Sequence, residues 1–415
     1  MRILLLTLIY LSLVFSRFSS QFQAEGNLRD YENRPIKLVG KVSSEPILQG
    51  SSQSFYLGKI RVKAKQFPKY EYGDKVQVSG SLQRKMINRW YSRFSLMYPE
   101  VVKLKPDRVK FIGFDWKEAV LRFRRQIELV YNRSLSEPEA SLLAGIVLGA
   151  KRGLPGDFWQ ALQKTGTLHI VVASGYNVTF VIRVIIKYLA GWVKRRTAVI
   201  SGILAVILYT VMAGAEPAII RAAIMGSLAY FGQVLGREAD GIRLLTAASM
   251  VMILVDPMLV FDVGFQLSVA ATAGLLFISP LLGKLFNRIW LVGKDVSESL
   301  SAQLAVWPIL LITFGNLSVF SILVNSLILW LVPIIMNLGM VLALAGSVSM
   351  GLGQVVGWLV YGPLHLMVQV IKWFGSKTWM SFSVEMADVG IAKYGWLVIY
   401  YGLLVIILKR VKHER

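Results

Sequence analysis

The hydrophobic positions of this chain change their period three times. Met1-Arg2 leads into an unbroken apolar run from Ile3 to Phe15, of a length suited to a signal-peptide core or a short membrane anchor. Ser16-Arg17-Phe18 follows, with no small-residue cleavage pattern, so an uncleaved anchor over residues 1–18 is expected. Either use of the run places the next segment outside the cytoplasm. Residues 22–112 then adopt a two-residue period. Ile36–Val42 is strand-like, and in Lys59–Lys65 the residues Ile60, Val62 and Ala64 share one face while Lys59, Arg61, Lys63 and Lys65 share the other. Val76, Val78 and Leu82 repeat the alternation after Tyr72-Gly73-Asp74, and 91–98 and 101–112 supply two further strands. Five short strands in this length predict a small all-β barrel, with the OB-fold as the natural candidate.

A helical period replaces the alternation in residues 113–135. Trp116, Val120, Phe123, Ile127 and Val130 recur at helical spacing among basic residues, which predicts an amphipathic linker helix on the membrane surface. From Glu139 onward apolar segments come in close succession. Ala140–Gly149 is too short to span a bilayer and reads as re-entrant or interfacial. Spans are expected at about 168–192, 198–214, 217–235, 242–260, 262–281, 299–315, 317–346, 352–375 and 394–409. Pro333 interrupts 317–346, so that stretch reads as one long span or two short helices. The pattern therefore predicts a polytopic α-helical membrane protein with a small all-β extracytoplasmic domain, the membrane domain covering 138–415.

Composition strengthens this reading and adds a partner. Of 415 residues 55% are hydrophobic and only 17% charged, with a mean hydropathy of +0.55. The net charge is +22. Short clusters such as Lys194-Arg195-Arg196 and the Arg237–Arg243 loop mark cytoplasmic ends. Between Arg17 and Arg125, however, 23 Lys/Arg stand against 10 Asp/Glu. A basic block of that length suits an anionic partner, nucleic acid or lipid headgroups. The Lys59, Arg61, Lys63, Lys65 stripe is then either a solvated outer face or a phosphate-tracking groove, with Phe55, Tyr56, Tyr70 and Tyr72 as base-stacking or core aromatics. The chain has no cysteine and three scattered histidines, so neither disulfides nor a His-rich metal site is expected.

Polar residues fall where hydrocarbon is expected, at a cost that makes them candidate site residues. They are His169, Ser174, Asn177 and Arg183; Glu216 and Arg221 around Pro217; Asp256, Asp262, Gln266 and Ser268; and Gln303, Asn316, Asn325 and Asn337. Pro217 suits the first position of a helix that Glu216 would favour through its dipole. Arg221 either pairs with Glu216 or an aspartate, or faces a pore. Each Asn or Gln is either an interhelical hydrogen bond or a pore lining.

Taken in order, these segments resemble a known family. Leu142-Leu143-Ala144-Gly145-Ile146-Val147-Leu148-Gly149, Leu154-Pro155, Thr165-Gly166-Thr167-Leu168-His169 and Ala173-Ser174-Gly175 are similar to the competence domain of the ComEC family of DNA-internalisation channels. Ile220–Met225, Asp256-Pro257, Asp262–Ser268, Gln303-Leu304-Ala305, and Phe314-Gly315-Asn316 with Asn325 continue the series over about 138–346. The preceding β region resembles, more loosely, that family's OB-like domain. A Ser-His and a second histidine common in the family stand here as Leu168-His169 and Asn177, which argues against a histidine pair. Many relatives also carry a metallo-β-lactamase-like domain that these 415 residues do not include.

The resemblance implies a membrane channel that passes single-stranded DNA into the cytoplasm in natural transformation. A separate DNA receptor, translocation motor and nuclease would serve it, and no P-loop sequence is present. No enzymatic chemistry and no cofactor are expected. Composition alone also permits an ion-coupled transporter of a small anionic solute, using Glu216, Arg221, Asp256 and Asp262, or a membrane enzyme or scaffold.

Overall fold

The computed structural model describes residues 2–49, 52–86, 92–104, 115–150, 153–171, 174–286, 293–317, 321–377, 382–383 and 392–413. The far half of the strand expected over 101–112, and Ala173, lie outside them.

The N-terminal apolar run belongs to a longer helix, α1 (Arg2–Arg29). At 1.5 Å per residue it is about 42 Å long. Its last turn reaches the β domain, where Leu28 packs on the core. That domain is a mixed seven-stranded sheet of β1 (Pro35–Lys41), β2 (Ile47–Gln49), β3 (Ser52–Leu57), β4 (Ile60–Lys65), β5 (Lys75–Met86), β6 (Ser92–Met97) and β7 (Glu100–Lys103). The order β1-β5-β6-β4-β3-β2 is an open path among the described residues. Its long strand β5 is shared. The first half lies between β1 and β7, and the second half pairs with β6. Gly80 sits at the changeover, where a Cβ would stand 2.8 Å from the Pro99 side chain, a close approach that only glycine permits in a strand. All pairs are antiparallel except β4 with β6. Ile60, Val62 and Ala64 are buried as their alternation predicts, together with Val76, Val78, Leu82 and Leu96. The strands β2 and β3 carried no alternation signal, because β3 is buried on both faces apart from Tyr56.

Helix α2 (Trp116–Ser134) starts at Asp115, whose carboxylate accepts from the Lys117 and Glu118 amides. It does not rest on a membrane surface by its apolar face alone. Leu121, Ile127 and Tyr131 are buried, and the Tyr131 hydroxyl donates to the Gly339 carbonyl at 2.9 Å. The side chains of Trp116, Phe123 and Leu129 remain exposed. Next, α3 (Glu139–Leu148) is buried at all ten residues. Of the two readings, re-entrant or interfacial, burial speaks against the second: the short apolar segment is a helix shielded by protein.

The remaining helices are α4 (Gly156–Lys164), α5 (Leu168–Val171), α6 (Gly175–Leu189), α7 (Arg195–Met212), α8 (Pro217–Val234), α9 (Gly241–Val255), α10 (Val263–Phe277), α11 (Ser279–Phe286) and α12 (Gly293–Phe314). After a two-residue strand β8 (Asn316–Leu317) come α13 (Ser321–Ile328), α14 (Leu331–Val348) and α15 (Met350–Gly375), then β9 (Phe382–Ser383), which pairs with β8, and α16 (Ala392–His413). The 317–346 stretch is indeed two helices. The break falls at Leu329-Trp330, and Pro333 occupies the first turn of α14, where its missing N–H costs nothing. Among the described residues five helical stretches are long and apolar enough to cross a bilayer: Leu168–Leu189, Arg195–Met212, Val296–Thr313, Leu331–Val348 and Met350–Gly375.

One core joins α2, α3, α4, α5, α13, α14 and α15; a second joins α6, α7 and α8. Helices α6 to α10 run up and down in sequence. The start of α6, the α7–α8 turn and the α9–α10 turn therefore share one end of the bundle, and the Lys194–Arg196 and Arg237–Arg243 loops share the other.

Candidate functional site

The polar motifs converge at the first of those ends. Asn177, almost fully buried, donates through Nδ2 to the Ile146 carbonyl of α3 at 2.8 Å and accepts from the Ser174 hydroxyl at 3.1 Å. Gly175 lets α6 close on α8, since a Cβ there would lie 3.2 Å from that of Ala222 and 3.9 Å from Arg221 Nη2. Arg221, one turn into α8 and buried, donates from Nε to the Ser268 hydroxyl of α10 at 2.7 Å. Its Nη1 lies 3.3 Å from Met225 Sδ. Asp262 begins α10, with Oδ1 accepting the Phe265 amide at 3.1 Å and Oδ2 accepting from Arg93 of β6 at 2.6 Å. Ser174, Asn177 and Arg221 thus gather where α6, α8 and α10 meet, and Asp262 at the start of α10 carries that helix to the β domain. As expected, Pro217 opens α8 with Glu216 as its N-cap residue.

The other candidates stand apart from it. The exposed His169 is 3.0 Å from the Gly166 carbonyl within its own turn. Gln266 donates to the Val260 carbonyl at 2.8 Å and braces the α9–α10 turn. Gln303 donates to Ser321, joining α12 to α13. Asn325 is buried on α13, and its Oδ1 has no hydrogen-bond partner among the described residues. Asp256 caps the turn Pro257–Phe261 by accepting the Met258 amide.

On the β domain the stripe of Arg61, Lys63 and Lys65 lies on the outer face, with Lys59 exposed in the turn before β4. The parallel register sets Arg61 beside Ser95 and Lys63 beside Met97, so Arg93 extends the same row by one place. The row Arg93, Arg61, Lys63, Lys65 covers about 20 Å. It ends at Asp262, on the helical domain. Of the two readings of the aromatics, base-stacking or core, the structure supports the core one for Phe55 and Tyr70. Phe55 and Tyr70 are core residues at 0% and 5% exposure, and Tyr72 lies under the Lys117 ammonium, 4.7 Å from its ring centre. The exposed rings beside the row are Phe67 and Tyr98 instead. Each directly precedes a proline at a strand end, a signal the alternation reading passed over.

Three further groups were missed because their partners are distant in sequence. Arg124, 4% exposed, donates to Glu45 of the β domain, to Glu128, and to the Met212 carbonyl at the end of α7. Arg125 pairs with Glu71 at 2.9 Å. Glu139, buried in α3, meets His365 of α15 at 2.8 Å. Only the burial of a charge that helical spacing marks as inward could have flagged Arg124.

These features define a polytopic membrane protein with a basic β domain clamped over one end of a helical bundle, where polar motifs gather. Residues 146–411 match the competence protein family, and the chain belongs to it. It is 26% identical over 259 residues to ComE operon protein 3 of Bacillus subtilis (strain 168), covering 62% of this chain and 33% of that protein. It is 25% identical over 219 residues to the uncharacterized protein YcaI of Escherichia coli (strain K12), covering 48% of this chain and 28% of that one. The matches thus span about a third of the length of these relatives. No solved structure matches.

Proposed function

We propose that the chain is the membrane conduit through which single-stranded DNA enters the cytoplasm during natural transformation. The observation that carries the reading is the link between the two domains: the row Lys65, Lys63, Arg61, Arg93 on the β domain ends on Asp262, which begins the helix whose Ser268 holds Arg221. A row of cations at this spacing tracks a phosphate backbone and binds it with strong salt dependence. Arg221 places positive potential at the mouth of the helical bundle, and His169, Gln266, Gln303 and Asn325 are the further polar groups this reading assigns to the conduit. The β domain, used in the manner of an OB-fold, lies outside the cytoplasm, because the Lys194–Arg196 and Arg237–Arg243 loops occupy the opposite end of the helices. The chain itself makes and breaks no bonds. A DNA receptor, a motor and a nuclease are separate partners.

An ion-coupled transporter would need Asp256 and Asp262 free to titrate with substrate, yet both serve as helix caps. The test is uptake of labelled DNA in a deletion strain complemented with wild type, Arg221→Ala or Arg61→Gln/Lys63→Gln/Lys65→Gln. Wild type restores uptake and both variants fall well below it at equal membrane abundance. Normal uptake in the uncomplemented strain would sink the proposal.

A further inference from the structure

The loop after β4 is held out by a buried template. Gln53 of β3 is 1% exposed, and its amide serves only this loop in the hydrogen bonds it makes. Nε2 donates toward the carbonyls of Lys65 at 2.8 Å, Gln66 at 3.0 Å and Pro68 at 2.6 Å, while Oε1 accepts the Tyr70 amide at 3.2 Å. A buried amide satisfied by one stretch of main chain fixes the path of that stretch. At its apex Phe67 is 67% exposed.

Tyr98 faces the same space from the end of β6. It is 55% exposed and has φ of +49°, a left-handed conformation that costs a non-glycine residue on the order of 1 kcal/mol. Its amide donates to the Lys63 carbonyl at 2.6 Å, which holds it there. The parallel pairing of β4 with β6 is what brings the two ring-bearing ends together. Lys65, Gln66, Phe67 and Tyr98 line one open cleft. The Lys63 ammonium stands 5.5 Å from the centre of the Tyr98 ring, and that of Lys69 stands 5.8 Å from the centre of the Phe67 ring.

From this geometry we infer that Phe67 and Tyr98 form a stacking platform for the unpaired bases of a single strand, with Lys63, Lys65 and Lys69 on its phosphates. The inference rests on the DNA reading above and adds to it a basis for strand selection. Exposed aromatic rings that each carry an ammonium over one face match the two chemistries a single strand offers, whereas a duplex keeps its base faces inside the stack. A lipid surface would use the same chemistry, and the dye experiment below separates the two; the cleft lies at the end of β6 away from the Arg93–Asp262 contact. Along the strand the separation is about 17 Å.

The test uses the full chain in nanodiscs, titrated with a labelled oligothymidine and with a duplex of equal length across a salt series. Phe67→Ala/Tyr98→Ala and Phe67→Leu/Tyr98→Leu each weaken single-strand binding at least about tenfold and leave duplex binding and the salt slope unchanged. Phe67→Trp/Tyr98→Trp retains single-strand binding, because stacking needs the ring and not just apolar area. Lys63→Gln/Lys65→Gln weakens both ligands and flattens the salt slope. Wild-type binding that the alanine and leucine variants leave intact overturns the platform and spares the DNA reading. Wild type that binds neither ligand overturns both. The chain has no cysteine, so Gln66→Cys in the same cleft can carry a single environment-sensitive dye. Its emission changes on adding oligothymidine. A shift that instead follows the lipid composition of the nanodisc, with no response to DNA, assigns the cleft to the bilayer and overturns the platform.

Discussion

Arg93 of the β domain and Asp262 of the helical domain share a hydrogen-bonded ion pair at 2.6 Å, and the second oxygen of the same carboxylate caps α10. One side chain thus fixes a helix start and a domain contact. The arginine side chain is 43% exposed and the aspartate 22%, so water screens the pair and its worth is about 0.2–1 kcal/mol. Arg93→Ala is expected to lower stability by less than about 1 kcal/mol. Asp262→Asn, which keeps a capping oxygen, should match it. Asp262→Ala loses the cap as well and should cost about 1 kcal/mol more. Thermal unfolding in detergent measures all three, and a double-mutant cycle with zero coupling energy would show that the two residues act separately.

Arg124 is the stronger clamp. Its guanidinium is 4% exposed and is shared between Glu45, Glu128 and the Met212 carbonyl. Removing it leaves two largely buried carboxylates and the end of α7 without their cation. Arg124→Ala is therefore expected to cost about 3–5 kcal/mol, far more than Arg93→Ala. Arg124→Lys should recover only part, because an ammonium cannot serve three acceptors with the fork geometry of a guanidinium. Limited proteolysis between the β domain and α3 reports the loosened clamp; equal cleavage rates for wild type and Arg124→Ala would refute it.

The β domain also carries an alkaline sensitivity. Burial, then the charge of Asp74, raises the Tyr70 phenol above its ordinary 10.0. Burial raises Tyr72 likewise, with Asp115 and Glu118 adding to it. A raised folded value means that the unfolded chain loses these protons first. The stability they confer is complete below pH 10 and is lost as pH rises through the folded values. The unfolding midpoint is expected to be flat in its tyrosine contribution up to about pH 10 and to fall beyond it. Tyr70→Phe should fall less steeply, although it forgoes the hydrogen bond to the Val101 carbonyl. Identical slopes above pH 10 in the two proteins would count against this account.

Much of this architecture was legible in the sequence because its signals are local. The period of Ile60, Val62 and Ala64 placed their burial, and Pro217 after Glu216 placed the start of α8. The ordered motifs placed the family. What escaped was what depends on partners far along the chain. For Arg221 the sequence offered a carboxylate partner or a pore, and the partner its Nε meets, Ser268, is 47 positions away. Trp116 to Val130 looked like a surface helix because its moment is strong, but the face carrying Tyr131 is enclosed by helices more than two hundred residues later. Phe55 and Phe67 are indistinguishable by composition. Only the packing of β3 buries the first, and only the Gln53 template turns the second outward.

Arg221 and Ser268 give the sharpest test of the membrane motifs. Their hydrogen bond joins α8 to α10 where Gly175 brings in α6. A hydrogen bond to a charged, buried donor contributes about 1.5–3 kcal/mol, so Ser268→Ala should lower the thermal midpoint measurably. Ser268→Thr, which keeps the hydroxyl, should not lower it as far. Arg221→Lys preserves the charge but has no Nε–H at that position. If Arg221 only braces the helices, Arg221→Lys and Ser268→Ala should lose stability and DNA uptake in proportion. If it also supplies potential at the bundle mouth, uptake and stability separate. Arg221→Lys retains most uptake despite lower stability, Ser268→Ala retains uptake at permissive temperature, and Arg221→Gln loses uptake beyond what its stability explains. Uptake measured beside thermal midpoints for the four variants decides between the two, and uptake that tracks stability in every case would remove the electrostatic role.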